Sequence, residues 1–456
     1  MQLTDRLDAA DLTLSFVTQD AALPERLTRG LKPGEVRLTR RGEAGDEALA
    51  LAPASAAEAR DLGAALSKLA GELRASGVRV PATGYAAALA GAALAAGWQD
   101  RRYKGEAPDT PGPLLAVEGL SGDDGARVRG LAAGVEFARE LVSAPANVLN
   151  PVTLAREARS LERLGLDVDV WDGDDIAARG MGLLVAVAAG SATGPRLIRV
   201  TLPARGSGEQ GRTEQEQPRH VIALVGKGIT FDTGGYSLKP AAGMYGMKND
   251  MGGAGAVLGA MRALGELRAH VPEGVEVRAY VAAAENMVGP DAMRPGDIFR
   301  AANGLNVEVT NTDAEGRLVL GDALTVACDE GATEVVDLAT LTGAKVTALG
   351  SDIAALFSSD PALTARLRAG AEAAGELVWE LPLHQPYLKA FQKATIADLK
   401  NSDLVPAGGS IKAALFLQQF VTRPWAHLDI AGNAMQGEAA TGWGVGTLVE
   451  YVLAGR

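Results

Sequence analysis

Short apolar, strand-like runs alternate with amphipathic helical runs along this chain, and that alternation restricts it to α/β layers in which helices cover a sheet. Residues 36–40 and 48–52 read as strands. Residues 55–76 read as a helix capped by Ser55, and 85–98 as a second helix, Ala-rich enough to pack closely. Residues 101–113, with three prolines and several charges, read as a loop before a strand at 113–119. A helix over 123–141 leads on to a helix at 153–164 and strands at 167–171, 183–188 and 197–202. The polar stretch 204–218 is expected to be an exposed loop, because buried-strand patterning resumes at 221–225. The expected organisation is a small N-terminal α/β domain over 1–122, a connecting helix over 123–145, and a larger domain over 146–456. In the latter, helices sandwich a mixed central sheet.

Composition narrows the function classes. At 456 residues and 47% apolar content, the chain can bury a large core in more than one domain. A net charge of −12 disfavours a nucleic-acid-binding surface. Cys328 is the only cysteine, so no internal disulfide can form. With four histidines (His220, His270, His384 and His427), a metal site here must rely on carboxylates. The opening residues lack the basic start and apolar run of a secretory signal, and no apolar run approaches the ~20 residues that span a bilayer. The expectation is a soluble cytoplasmic protein with no membrane partner.

Two segments concentrate acids, bases and glycines. The first runs from Val225-Gly-Lys-Gly through Asp232, Gly234, Gly235 and Lys239 to Asp250; the second is Asn311-Thr-Asp-Ala-Glu-Gly-Arg-Leu. The strand at 221–225 is expected to deliver Lys227 and Asp232 to a glycine-rich bend. Asp313 and Glu315, two apart, share a face if extended, and Arg317 continues it before a helix at 318–328. Converging carboxylates repel unless divalent cations hold them, and oxygen-rich ligation suits Mn²⁺, Mg²⁺ or Zn²⁺. Spacing alone leaves a second reading open, in which these charges form only a salt-bridged, solvated turn.

The octapeptide at 311–318 resembles the signature of the leucyl, or cytosol, aminopeptidases. Around it, in that family's order, stand Val225-Gly-Lys-Gly, Phe231-Asp-Thr-Gly-Gly, Asp250-Met-Gly-Gly, Ala284-Glu-Asn-Met, Arg294-Pro-Gly-Asp, Asp337-Leu-Ala-Thr-Leu-Thr-Gly-Ala and His427-Leu-Asp-Ile-Ala-Gly. The resemblance covers roughly residues 137–456. It implies an aminopeptidase with two divalent metal ions (Mn²⁺ or Zn²⁺) held by Lys227, Asp232, Asp250, Asp313 and Glu315, with Asp232 and Glu315 shared. It further implies a metal-bridging hydroxide as nucleophile, one metal on the substrate's free α-amine, Lys239 on the oxyanion, and Arg317 holding a bicarbonate that shuttles the proton. Met247, Thr340, Leu341, Thr342 and Gly343 match positions that line the pocket for the first side chain. A homohexamer acting on peptides with a free N-terminus is implied as well. Thr233, Tyr236, Leu238, Lys248, Asn249, Lys345, Ile411 and Lys412 depart from the family's usual pattern without removing a ligand. Gly253-Ala-Gly-Ala-Val-Leu-Gly is not read as a dinucleotide loop, since no strand precedes it and the strand at 275–281 does not end in a ribose-binding acid. Gly226-Lys-Gly lacks the Ser or Thr of a phosphate loop.

Overall fold

The computed structural model describes residues 1–4, 10, 12–17, 31–41, 45–105, 114–120, 122–205 and 220–455. Most of the loops expected at 101–113 and 204–218 lie outside them. The chain divides into two compact units, Met1–Glu136 and Phe137–Arg456.

Among the described residues of the first unit, six strands form one sheet: β1 (Gln2–Leu3), β2 (Leu12–Val17), β3 (Arg37–Arg40), β4 (Asp46–Leu51), β5 (Gly77–Val80) and β6 (Leu114–Val117), in the order β1-β6-β5-β2-β4-β3. All neighbours are parallel except the β3–β4 pair. Two helices, Ala56–Leu73 and Ala86–Gly97, pack on each other. The Ser55 hydroxyl caps the first by accepting the Glu58 N–H. A Cβ at Gly63 would sit 2.2 Å from the Leu89 carbonyl oxygen, so glycine is what lets the Ala-rich helix approach this closely.

The second unit is built on β7 (Asp167–Trp171), β8 (Arg196–Leu202), β9 (His220–Asp232), β10 (Val275–Asn286), β11 (Ile298–Arg300), β12 (Asn306–Glu308), β13 (Glu334–Ala339), β14 (Ile353–Ser358), β15 (Leu377–Glu380), β16 (Leu399–Lys400) and β17 (Trp425–Asp429). Its main sheet has eight strands in the order β15-β14-β17-β13-β9-β10-β8-β7; β11, β12 and β16 form a small separate one. The four central strands, β17, β13, β9 and β10, run parallel, while β14 and β8 are antiparallel to their inner neighbours. Helices cover both faces. Ala223 and Val225 share a core with Leu318, Ala323 and Ala327 of the Glu315–Asp329 helix. Gly226, pointing the opposite way, meets Ala254 of the Gly252–Glu266 helix. Burial on both faces explains why β9 reads as an unbroken apolar run before its charged end. Among the described residues, no helix is long and apolar enough to cross a membrane.

Three elements differ from expectation. Residues 183–188, read as a strand, belong to a helix, Gly182–Ala188. An apolar run of this length has no decisive period, and here the buried Asp322 carboxylate decides by accepting the Leu183 and Leu184 N–H groups, both at 2.9 Å. Lys227 and Asp232 do not follow β9 into a bend; both lie on it, because pairing with β10 continues to Asp232–Asn286. The helix expected from 318 starts at Glu315, so Glu315 and Arg317 occupy a first helical turn and not an extended segment.

Candidate metal centre

The charged residues meet at the carboxyl ends of the central parallel strands, where ligand sites of open α/β sheets form. β9 brings Lys227 and Asp232, both buried. Asp250 ends the short turn Met247–Asn249 just before the Gly252–Glu266 helix, and Glu315 opens its own helix. One oxygen each from Asp232, Asp250 and Glu315 lies within 4.8 Å of the others. Lys227 Nζ stands 2.7 Å from Asp250 and 2.8 Å from Glu315. Lys239 Nζ stands 2.8 Å from Asp232 and 2.5 Å from Asp313. Each lysine thus bridges two acids. Asp313 sits at the rim, its side chain 31% exposed, and Lys239 links it to Asp232 of the buried trio.

Local chemistry explains the arrangement. Gly234 (φ +84°) and Gly235 (φ +61°) turn the chain after β9 in a left-handed conformation that suits glycine. A Cβ at Gly235 would lie 2.9 Å from Thr312 Oγ1. That hydroxyl accepts the Ser237 N–H at 2.7 Å and donates to the Gly234 carbonyl at 2.6 Å, locking the Lys239 loop onto the octapeptide. Asp232 Oδ1 accepts from Asn286 Nδ2 and the Gly234 N–H, both at 2.8 Å, which leaves Oδ2 for Lys239. Gly316 is needed for space: a Cβ there would lie 2.7 Å from Lys227 Cε and Nζ.

Negative charge exceeds positive in this pocket. Burial pushes Asp250 well above the usual carboxylate range, with Glu315 and Asp232 adding to it. Burial and Glu315 likewise raise Asp232, and they lift Asp313 to about 6. Burial also raises the cost of ionising Glu315, yet Lys227 and Lys239 outweigh it and hold that acid low. For Lys227, burial disfavours the ammonium, but Asp250, Glu315 and Asp232 keep it charged and its pKa high. Lys239 is held charged in the same way, by Asp232 and Glu315. Glu315 Oε2 is buried with no hydrogen-bond partner among the described residues. An unpaired carboxylate oxygen inside a trio of acids fits a divalent cation and is costly otherwise.

The residues 136–449 match the family model described as the cytosol aminopeptidase family, catalytic domain. The chain belongs to the cytosol aminopeptidase family. It is a peptidase, and the buried acidic trio fits the metal dependence of these metallo-aminopeptidases. A probable cytosol aminopeptidase of Synechococcus elongatus is 46% identical over 387 residues, 82% of this chain and 76% of its own. One of Gloeobacter violaceus is 47% identical over 352 residues, covering 75% and 67%. Among solved structures, a mutant tomato leucine aminopeptidase superposes with a TM-score of 0.87 at 34% identity, covering 99% of this chain and 96% of its own. The bottromycin maturation enzyme BotP, solved in complex with Mn, gives 0.85 at 34% identity, covering 98% and 99%.

In this aminopeptidase, Arg317 is half-buried beside Glu315 of the trio. Its Nη1 donates to the Asn401 carbonyl at 2.8 Å, Nε has no hydrogen-bond partner among the described residues, and burial lowers its pKa to about 10. Thr340, directly after β13, donates its hydroxyl to Asp250 at 2.8 Å and offers its carbonyl to Lys227 at 3.3 Å. Leu341, Thr342 and Gly343 continue from there into the Gly343–Leu349 helix, and Met247 opens the turn that ends at Asp250. Sequence reading missed Asn286, Asn401 and Asp429 as site residues. Asn286 and Asp429 stood inside motifs already singled out; Asn401, which accepts from Thr310 and Asn311 and donates to the Asn311 carbonyl, had no signal.

Proposed function

We propose that this protein removes the N-terminal residue from peptides with a free α-amine, using two divalent ions, Mn²⁺ or Zn²⁺. Lys227, Asp232, Asp250, Asp313 and Glu315 would hold them. The observation that carries this reading is the buried trio with an unpaired Glu315 oxygen, flanked by a lysine only partly covered. When bound, such ions supply a Lewis acid and lower the pKa of water. The chain's own residues do the rest. Lys239, its side chain 18% exposed, can reach a substrate carbonyl and stabilise charge that appears only in the transition state. Arg317, without a carboxylate in ion-pair distance among the described residues, offers a planar donor face to bicarbonate as proton shuttle. Met247 and Thr340–Gly343 form the pocket for the first side chain. Catalysis is assigned to residues 146–456, beyond the connecting helix 123–145 and the domain 1–122. A cytoplasmic homohexamer is the expected form, and the net charge of −12 argues against a nucleic-acid partner.

The test compares dipeptides or aminoacyl arylamides with their N-acetylated forms. Cleavage of the free amines alone, abolished by chelation and restored by Mn²⁺, Zn²⁺ or Co²⁺, is the expected result. Equal rates on blocked and free substrates would remove the exopeptidase assignment.

A further inference from the structure

Two fully buried charges near the proposed pocket take no part in the chemistry above. Asp429, the last residue of β17, is 0% exposed, as is Lys345 in the Gly343–Leu349 helix. Among the described residues, neither has an opposite charge within ion-pair distance. Each is satisfied by neutral groups instead. Asp429 Oδ1 accepts the N–H groups of Leu341 (3.2 Å), Thr342 (3.4 Å) and Ala431 (3.2 Å), and Oδ2 accepts the Thr342 hydroxyl at 2.6 Å. Lys345 Nζ donates to the carbonyls of Ala431 (2.8 Å) and Gly350 (3.0 Å) and to Asn433 Oδ1.

The two sets of bonds interlock. Ala431 is gripped by both charges, through its N–H by Asp429 and through its carbonyl by Lys345. Thr342 gives its hydroxyl proton to Asp429 and accepts the backbone N–H of Lys345, not its ammonium, at 3.1 Å. Its remaining lone pair takes the Ser410 hydroxyl at 2.8 Å, so Ser410 is the donor there. Two residues upstream of Thr342, Thr340 is bonded to Asp250 and Lys227. Burial pulls the Lys345 ammonium below its usual range, with Asp429 and Asp352 opposing that pull. A buried cation facing only neutral oxygens is costly unless a nearby anion supports it.

We propose that Asp429 and Lys345 are positioning residues, a divided ion pair joined through Ala431: Asp429 holds the 340–343 loop directly, Lys345 holds the 431–433 turn against it, and together they set the shape of the pocket for the first substrate residue. Lys345 acts as a tethered cation in a cage of carbonyl oxygens. The link to substrate rests on the aminopeptidase reading; the clamp itself does not.

The experiment uses the full-length protein and reads two quantities, steady-state kinetics and hydrogen–deuterium exchange of the amides of Leu341, Thr342 and Ala431. Lys345→Ala is expected to lower kcat/KM on the order of tenfold, mainly through KM, and to speed exchange at all three amides. Ammonium chloride, compared with tetramethylammonium chloride, is expected to restore part of both in Lys345→Ala and to leave wild type unchanged. Should Lys345→Ala not fold, Thr342→Val removes the shared hydroxyl without touching the cation and is expected to speed the same exchange. Wild-type exchange in the variant tested, or exchange in Lys345→Ala that ammonium does not slow, overturns the clamp. Loss of the aminopeptidase reading, with the exchange results intact, removes only its link to substrate.

Discussion

The two ends of β9 and β13 both carry buried charge, and they are built on opposite terms. At the amino end, Glu334 accepts from His220 Nε2 and Arg366 Nη1, both at 3.0 Å, and is also bonded by Arg366 Nη2 and the Tyr451 hydroxyl. His220 Nδ1 in turn lies 2.6 Å from Thr333 Oγ1. Although burial opposes ionisation, those donors hold Glu334 at about 2. At the carboxyl end, acids outnumber their cations, an oxygen of Glu315 goes unpaired, and Asp232 and Asp250 are forced upward. A buried polar cluster that completes its own bonds is structural; one that leaves them incomplete is prepared for something else to arrive. The same strands serve both purposes because parallel β-structure fixes its two ends independently.

The contrast can be broken most sharply at Glu334. Glu334→Ala strands His220, Arg366 and Tyr451, and is expected to cost about 3–5 kcal/mol in denaturant unfolding. Because the folded value of Glu334 lies below the ordinary 4.5, its stabilisation is present above about pH 4.5 and is lost as pH falls toward 2. Wild type should therefore lose on the order of 3 kcal/mol across that window from this group. A variant as stable as wild type would erase the distinction between the two ends.

Lys239→Ala comes next, with the effect in rate. Turnover should fall on the order of 10²-fold while both ions stay bound, as for other lost oxyanion donors. Retained turnover with lost metal would reverse the role given to Lys239.

Lys227→Ala is read in metal content instead of rate, and it is the most informative about the trio. A ligating lysine must give up its proton, so its ion should be the more exchangeable and the first lost at acid pH. Metal analysis should find one ion lost or weakly held in the variant, with the other retained. Two fully occupied, undisplaced ions would mean that Lys227 serves only as the counter-ion of Asp250 and Glu315.

Much of this was legible in the sequence because the chemistry sits in contiguous motifs. Lys227, Asp232, Asp250 and Glu315 each stood in one of the two charged, glycine-rich segments, and the structure gathers all four. Their backbone setting was not visible. The continuation of β9 to Asp232 depends on its partner β10, and the early start of the Glu315–Asp329 helix depends on packing against β9 and β10. The 183–188 run shows the same limit, since a carboxylate from a distant helix made it helical. Asp313 shared the octapeptide with Glu315 but not its depth, because the turn into the helix leaves it at the rim.

Gly316 ties two of these motifs into one unit of inheritance. In the first turn of its helix its value is the empty volume that the Lys227 side chain fills. A lineage that gained a methyl group there would have to surrender the lysine's position, and one that shortened the lysine would leave a hole beneath the helix. Neither segment can drift alone, so the two are expected to change together or not at all.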